Sequence, residues 1–377
     1  MAILLGIDTG GTYTDAVLFD NDLGVIRSAK ALTTKYDLAI GIRRAVEAVL
    51  PDPLPDIRLV SLSTTLATNA IVEGQASPIC LLLLGYPPDA LDQVGLRQAL
   101  GDDPVVFING GHTVAGEEQS PLDLDVARRA IVAHAPGVAA FAISGYFAVR
   151  NPAHELAVRG LVRELTGLPV TCGHELTLNL HASRRALTTA LNARLIPLLQ
   201  QLILAVQGML VEKAIHAPLM VVKGDGSLIK AQMALERPVE TILSGPAASV
   251  VGARQLSGED NVFVVDMGGT TTDIALLRDG RPVLNVEGAT VGGWKTMVEA
   301  VAVHTSGLGG DSEVWWDNTE GLVIGPRRVV PLSLLAHQHP PVLETLRRQL
   351  AHKSLKPYDG QFALRQRPLD TGQGGIT

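Results

Sequence analysis

The chain of 377 residues is longer than one hydrophobic core usually organises, so its length predicts two domains. The formal net charge of −7 and the lack of any Lys/Arg run argue against nucleic acid and anionic membranes as partners. Aromatic residues make up only 4%, too few for stacking single-stranded bases. No uninterrupted apolar run reaches the ~20 residues that span a bilayer, and the two cysteines lack a CxxC spacing. The composition predicts a soluble, cytoplasmic protein with two buried thiols.

A repeat organises the chain. Residues 4–18 read LLGIDTGGTYTDAVL, and residues 262–276 read VFVVDMGGTTTDIAL. Each copy has an apolar strand, an Asp, two glycines, threonines, a second Asp and a second apolar strand. This pattern predicts two β-hairpins, each with a glycine-rich turn. One such hairpin would be weak evidence for a site, whereas two copies that match at so many positions favour a shared chemical role.

The residue types of the two turns suit the phosphates of a nucleotide. Adjacent glycines let backbone N–H groups approach a phosphate without a Cβ in the way, and threonine hydroxyls can donate further hydrogen bonds. An Asp at a strand end can hold Mg²⁺ through its water shell. We therefore predict Asp8 and Asp266 as catalytic and magnesium-binding residues. The predicted ATP-binding residues are Gly10, Gly11, Thr12, Thr14, Asp15, Gly268, Gly269, Thr270, Thr271, Thr272 and Asp273.

The two turns and their spacing resemble the ATPase superfamily of actin, the sugar kinases and the heat-shock chaperones. That resemblance implies an actin-like (ribonuclease H-like) α/β fold, in which two domains hold Mg-ATP in a cleft and each contributes one turn. A P-loop is excluded as the main site because GxxxxGK[ST] does not occur in the sequence. A Rossmann fingerprint is disfavoured because these glycines lead into a strand and not into a helix.

Strands and helices alternate between the two turns, as in α/β folds. A helix of small residues over 241–253 directly precedes the second turn, and close packing of such a helix suits a hinge between domains. Chaperones of the superfamily carry an acidic residue just before the proline of this helix, where Ser244 and Gly245 stand here, so the general base is not identified. The remaining periodicity predicts helices over 38–50, 152–165 and 186–206 and strands over 59–62, 79–84, 138–144 and 219–222.

Eight segments between about residues 3 and 335 occur in the order GIDTGGTYTDAV, STTLATNAIVEG, NPAHE, LTTALNARLIPLL, GDGSL, PVETILSGPAASVVGA, VVDMGGTTTDIA and HTSGLGGDS. Together they resemble the hydantoinase A / 5-oxoprolinase family. The resemblance implies two domains, 1–200 and 201–377, each with one phosphate turn. It also implies ATP-dependent ring opening of a small cyclic amide such as a hydantoin or 5-oxoproline, often with a second subunit. Phosphorylation of the amide oxygen would let water open an otherwise unreactive ring.

Five polar residues outside the turns are predicted to contact substrate. Thr64, Thr65 and Asn69 follow an apolar strand, where a substrate-facing loop and a helix N-terminus are the two alternatives. Asp225 lies between glycines, where a tight turn is the alternative. His304 begins a glycine-rich segment that is either a loop near phosphate or substrate or a plain connection.

Three departures from the family pattern bear on the function. Ser63 stands where relatives usually carry His, and Ala302 where they often carry Asp. The family also continues into a glycine-rich segment that cradles adenosine, so the resemblance implies a C-terminally truncated chain. These departures keep two alternatives open: a nucleotide-gated switch or assembly component with little turnover, and a subunit of an ATP-dependent carboxylase.

Overall fold

The computed structural model describes residues 2–11, 13–34, 37–74 and 76–351. The chain forms two compact units, Met1–Asp260 with Arg278–Ala302 and Asn261–Leu277 with Val303–Thr377. The first unit alternates strands and helices, and the second is built mainly of antiparallel strands. The fold is therefore mixed α/β, as the sequence pattern predicts.

The elements are numbered in chain order. The first part of the chain contains β1 (Ile3–Thr9), β2 (Tyr13–Asp20), β3 (Gly24–Leu32), α1 (Leu38–Val49), β4 (Ile57–Thr64), α2 (Leu66–Val72), β5 (Ile79–Leu84), α3 (Leu96–Leu100), β6 (Val105–Ile108), α4 (Leu124–His134), β7 (Ala140–Gly145), α5 (Ala153–Thr166), β8 (Val170–Cys172), α6 (Ala182–Glu212), β9 (Leu219–Val222), β10 (Leu228–Lys230), α7 (Ala231–Glu236) and α8 (Ser244–Ser257). The remainder contains β11 (Val262–Met267), β12 (Thr272–Arg278), β13 (Arg281–Pro282), β14 (Leu284–Asn285), β15 (Thr290–Val291), β16 (Trp294–Lys295), β17 (Ala300–Val301), β18 (Val303–Ser306), β19 (Ser312–Asp317), β20 (Gly321–Arg328), α9 (Leu332–Gln338) and α10 (Pro340–Ala351).

The larger sheet of the first unit has the strand order β10-β9-β4-β1-β2-β3. Strands β1, β4 and β9 run parallel, and the hairpin β1–β2 continues antiparallel into β3. Alternate side chains of β1, including Leu5 and Ile7, pack with Ile42 and Val46 of α1 in one hydrophobic cluster. Such burial of every second residue is typical of a strand with one face in the core. It continues to Thr9, the last residue of β1.

The second sheet of the first unit is entirely parallel, with the order β6-β5-β7-β8. Leu81 and Leu83 of β5 face α6, whereas Cys80 and Leu82 belong to a separate cluster with α4 and α5. A parallel strand covered on both faces reads as a continuous apolar run, and residues 79–84 show this pattern. The predicted strand 79–84 is confirmed, and both cysteines are buried free thiols.

Helix α6 connects the cores of the two sheets. Its first half, with Leu187 and Leu191, packs in the cluster of the second sheet, and its second half, with Leu202 and Val206, packs in that of the first. By length and composition α6 could cross a membrane. The helix is long enough although no uninterrupted apolar run is, because Gln200 and Gln201 interrupt the run but not the helix. Its packing against both sheets accounts for its apolar residues without a membrane.

The second unit repeats the hairpin of the first with a different environment. Strand β12 pairs antiparallel with β11 and β18, and β19–β20 form a separate hairpin. When the two repeats are aligned on Asp8 and Asp266, Leu5 corresponds to Phe263. Leu5 is fully buried, whereas Phe263 is 75% exposed. The same apolar pattern therefore lies under a helical layer in one repeat and faces outward, among the described residues, in the other.

Candidate functional site

The first glycine-rich turn closes the hairpin β1–β2. Asp8 lies opposite Asp15, and the Gly10 N–H donates to the Tyr13 carbonyl at 2.9 Å. A Cβ on Gly11 would lie 3.0 Å from the Asn69 amide nitrogen, a distance that side chains rarely tolerate. Glycine at this position thus lets the turn approach α2 closely. Thr12, a predicted ATP-binding residue, lies outside the described residues.

The carboxylate of Asp8 is held at the end of the parallel pair β1–β4. Ser63 lies opposite Asp8 in this register, and its hydroxyl donates a hydrogen bond to Asp8 Oδ1 at 2.5 Å. Ser63 is buried and Asp8 is half-buried. A hydrogen bond to an ionised group orients it strongly, so Ser63 positions the Asp8 side chain. Asp15, on the other strand, forms an ion pair with Lys30.

Thr14 supports the first turn from inside the unit. It is fully buried, and its hydroxyl lies 3.0 Å from that of Thr33, which in turn donates to the Gly10 carbonyl at 2.9 Å. Thr33 accepts from Thr14 and donates to the turn, so the two hydroxyls hold Gly10 in position. Thr33 could not be recognised from the sequence, because it follows β3 and lies 23 residues from Gly10.

The second turn has the same register. Asp266 lies opposite Asp273, and the Gly268 N–H donates to the Thr271 carbonyl at 2.8 Å. Thr272 matches Thr14: its hydroxyl is also buried, and it donates to the Leu308 carbonyl at 2.6 Å. In both repeats the threonine after the turn is therefore occupied in holding the turn. The predicted hairpins are confirmed at both sites.

The glycine-rich segment after β18 packs directly on the second turn. The Gly310 N–H donates to the Gly268 carbonyl at 3.1 Å, and the Asp311 N–H donates to that of Gly269 at 2.8 Å. A Cβ on Gly309 would lie 2.4 Å from backbone atoms of Thr270, so only glycine fits there. The segment is therefore a support for the second turn and more than a plain connection.

Arg328 is a residue of the second turn that the sequence did not reveal. Its guanidinium donates to the Thr270 carbonyl at 2.7 Å and to Asp311 at 2.5 Å. The side chain is 42% exposed, so part of the cation remains accessible beside the turn. An Arg with free N–H groups at a glycine-rich turn can also bind phosphate. Because 58 residues separate Arg328 from Thr270, no spacing pattern indicates this contact.

The predicted substrate residues fall into different environments. Thr64 is fully buried, where its hydroxyl donates to the Thr9 carbonyl and its own carbonyl accepts from Ser244. Thr65 precedes α2 and Asn69 lies inside it, so the helix, and not the loop, is the correct alternative for this segment. The apolar residues Leu66, Ala67 and Ala70 recur on one face and stabilise that helix against the core.

Asp225 and His304 lie in well-defined local structures. Asp225 accepts from the Ser227 N–H and hydroxyl in the turn between β9 and β10, and it forms an ion pair with Lys223. His304 is exposed on β18, opposite Ile274, so the expected loop is a strand at this residue. Its neighbour Thr305 donates to Asp273 at 2.6 Å, which places the start of the glycine-rich segment beside the second turn.

A cavity of about 500 Å³ lies beside the first turn within the first unit. It is bounded by residues 9–11 of the turn, the start of α1, helix α2 and the second half of α6. Thr65 and Asn69, two of the predicted substrate residues, line it. The volume falls within the ~300–1,000 Å³ of small-molecule sites. The cavity combines an apolar wall with hydroxyl and amide groups, a composition suited to a small polar ligand.

A buried carboxylate, Glu155, lies at the carboxyl ends of β7 and β8. It accepts the backbone N–H of Gly145 at 2.6 Å and that of His174 at 3.0 Å, and it contacts His174 Nδ1. The Cys172 thiol is nearby, and burial followed by the negative charges of Glu155 and Glu175 raises its pKa well above the usual range. Glu155 thus accepts one backbone N–H at the end of β7 and another just after β8. We therefore interpret this cluster as a support for the parallel sheet.

Comparison with known proteins places these features in a family. The model of the hydantoinase/oxoprolinase N-terminal region matches residues 4–166, and that of hydantoinase/oxoprolinase matches residues 185–333. The chain belongs to the hydantoinase/oxoprolinase family. Both glycine-rich turns and the cavity lie within the two matched regions.

Relatives within the family include subunits of larger enzymes. The chain is 31% identical over 350 residues to the caprolactamase subunit alpha of Pseudomonas jessenii, covering 86% of this chain and 50% of that protein. It is 28% identical over 369 residues to the acetophenone carboxylase gamma subunit of Aromatoleum aromaticum, with 86% and 49% covered. The chain thus spans about half the length of these relatives.

A solved structure has the same fold. The crystal structure of the ATP-dependent caprolactamase from Pseudomonas jessenii matches with a TM-score of 0.69 and 30% identity, covering 86% of this chain and 51% of that one. The match therefore supports the mixed α/β fold of the chain.

Proposed function

We propose that this chain is the ATP-binding part of an enzyme that opens a small cyclic amide at the expense of ATP. The observation that carries the proposal is the pair of glycine-rich turns with identical register, each with an Asp at the end of its first strand. In the proposal these lie in two domains, 1–200 and 201–377, of an actin-like ATPase fold. The similarity to an ATP-dependent caprolactamase supports both the nucleotide and the substrate class.

The chemistry follows from the groups of the two turns. Backbone N–H groups of the glycines and the hydroxyls of Thr12 and Thr270 would bind phosphate oxygens. Asp8 and Asp266 would hold Mg²⁺ through water, which lowers the negative charge of the transferred phosphoryl group. Transfer of that group from ATP to the amide oxygen would release ADP and weaken amide resonance. Attack of water on the ring carbon would then break the C–N bond and release phosphate, which opens the ring. The predicted ATP-binding roles of five further residues stay predictions: Thr14, Asp15, Thr271, Thr272 and Asp273.

Two other functions are tied to specific observations. Similarity to the acetophenone carboxylase gamma subunit favours a role in ATP-dependent carboxylation, which bicarbonate-dependent ATP turnover would reveal. Ser63 and Ala302, which depart from the family pattern, favour a nucleotide-gated switch or assembly component with little turnover. A second subunit belongs to each of these proposals, because two relatives are named as subunits. A cytoplasmic location is part of each proposal as well.

Calorimetric titration of this chain with Mg-ATP tests the proposal. We expect binding that weakens more than about tenfold in Asp8→Ala and in Asp266→Ala, because each loses a carboxylate for the hydrated metal. Asp56→Ala is the control, since Asp56 is an exposed residue paired only locally with Arg58. Equal binding in all four proteins would contradict the assignment of both turns. Phosphate release with cyclic amides then separates the leading function from the switch.

A further inference from the structure

We propose that the segment 109–122, between β6 and α4, is held closed over the second sheet by His154 and opens when that histidine is protonated. His154 lies in the first turn of α5, and both of its ring nitrogens contact the segment. All of these contacts lie within the first unit. The inference goes beyond the proposed ATP chemistry, because it concerns the sheet β6-β5-β7-β8 and not the glycine-rich turns.

The closed segment covers the carboxyl ends of β5 and β7. A Cβ on Gly111 would lie 3.1 Å from the Cα of Gly85, the residue that follows β5. The His112 N–H donates to the carbonyl of Tyr146, which follows β7, at 3.1 Å. In open parallel sheets, ligands bind outside the carboxyl ends of the strands. Opening of this segment would therefore uncover the edge of the sheet that is most suited to a ligand.

His154 holds the segment through both ring nitrogens. The Gly111 N–H donates to His154 Nδ1 at 3.0 Å, so this nitrogen is an acceptor and carries no proton in the closed segment. The proton of the neutral ring is therefore on Nε2, which lies 3.1 Å from a carboxylate oxygen of Glu118. His112 and Glu118 form an antiparallel bridge. The neutral ring thus contacts both sides of the short hairpin at the centre of the segment.

Protonation of His154 removes the acceptor at Nδ1. An imidazolium has an N–H on each nitrogen, so its Nδ1–H and the Gly111 N–H would point at each other. The Gly111 N–H would then be buried without a partner, which is unfavourable. The contact with Glu118 would become an ion pair, but the Glu118 side chain is 55% exposed. Because exposed ion pairs stabilise weakly, this gain does not offset the lost backbone bond.

A second histidine increases the dependence on pH. The ring centroids of His112 and His154 are 4.3 Å apart, and His112 is almost fully buried. Burial and the adjacent His154 lower the pKa of His112, whereas Glu118 and Glu155, which also contacts His174, act in the opposite direction. His112 therefore stabilises the closed segment above the ordinary histidine pKa of about 6.5, and this contribution is lost as the pH falls through the lower folded value.

Hydrogen–deuterium exchange of this chain at pH 7.5 and pH 5.5 tests the inference, with rates corrected for the intrinsic effect of pH on exchange. An exposed histidine has a pKa of about 6.5. If His154 takes up its proton only in the open segment, the open population should be at least about tenfold larger at pH 5.5. We expect this gain in peptides that contain Gly111 and His112, but not in peptides of the buried strand β5. Equal corrected exchange of the segment at both pH values would overturn the inference.

Side-chain variants separate the role of His154 from general destabilisation by acid. His154→Asn keeps an acceptor oxygen near the position of Nδ1 but does not titrate, so the segment should lose most of its pH dependence. Glu118→Gln removes a carboxylate that favours the protonated ring, so the segment should open at a lower pH than in the wild type. His216→Asn is the matched control, because His216 is exposed and lies outside the segment, before β9. A tenfold gain that persists unchanged in His154→Asn, or an opening pH that does not move in Glu118→Gln, would contradict the inference.

Discussion

Ser63 donates a 2.5 Å hydrogen bond to the Asp8 carboxylate across the parallel strands β1 and β4. The residue at this position is thus a direct partner of the proposed metal-binding Asp. A hydroxyl can hold a carboxylate in place but cannot accept a proton near neutral pH, as a histidine does. Ser63 therefore orients Asp8 but is not a candidate for the general base.

Ser63→Ala should lower the free energy of unfolding by about 1–2 kcal/mol, because it removes a buried hydrogen bond to a charged group. It should also weaken Mg-ATP binding, since Asp8 loses its orientation. A double-mutant cycle with Asp8→Ala, which removes the acceptor, isolates the pair when it is followed by urea denaturation and nucleotide titration. Strictly additive effects in both measurements would show that the hydrogen bond contributes nothing.

The two repeats allow a matched test of core packing. Leu5→Ala should destabilise the first unit by about 2–5 kcal/mol, because Leu5 is fully buried against the α1 layer. Phe263→Ala, at the corresponding position, should change stability by less than about 1 kcal/mol, because Phe263 is 75% exposed. Chemical denaturation of both variants checks the difference. A larger loss for Phe263→Ala would mean that another part of the protein covers this face.

The sequence predicted most of the local structure, but few of the contacts between residues that are distant in the chain. Strands and turns around Asp8 and Asp266 follow from alternation and glycine position, and the register confirms them. The pattern could not show that Leu5 is buried and Phe263 exposed, because both repeats have the same period and differ only in what packs on them.

Helix ends and the contents of the site were harder to predict. The helix predicted over 186–206 extends further at both ends, over Ala182–Glu212, and continues through Pro197. Asn69 was identified as a candidate by its polar character. Gln201, which lines the same cavity, was not identified, because it lies on a helix that begins more than a hundred residues later. Contacts of this kind depend on tertiary packing, which a single sequence does not encode in its spacing.

Arg328→Met should weaken nucleotide binding without unfolding the second unit. The variant loses the guanidinium that contacts Thr270 and Asp311 beside the second turn. Arg327→Met is the matched control, because Arg327 lies on the same strand but pairs with Glu313. We expect a decrease of roughly fivefold to tenfold in Mg-ATP affinity for Arg328→Met alone. Similar effects of the two substitutions in calorimetric titration would show that Arg328 has no specific role.

The ion pairs around Lys223 make a pH-dependent contribution to stability. Burial lowers the Lys223 pKa, but Glu240 and Asp225 outweigh it, so the pKa is raised. Burial raises the Asp225 pKa, yet hydrogen bonds from Ser227 and the charge of Lys223 bring it below its usual range. The contribution of Asp225 is therefore present above its unfolded pKa of about 3.9 and is lost as the pH falls through the lower folded value.

Lys223→Met should destabilise the first unit by about 1–3 kcal/mol at pH 7, because it leaves the half-buried Asp225 without its cation and leaves Glu240 with the longer ion pair to Arg237. The difference from the wild type should shrink as the pH falls below about 4, where Asp225 becomes protonated first in the unfolded chain and, at lower pH, in the folded protein as well. Lys230→Met, at the exposed end of the same hairpin, is the control and should be nearly neutral. Urea denaturation between pH 3 and pH 7 measures both. If the effect of Lys223→Met were independent of pH, its cause would be lost packing of the lysine stem and not the charges of Asp225 and Glu240.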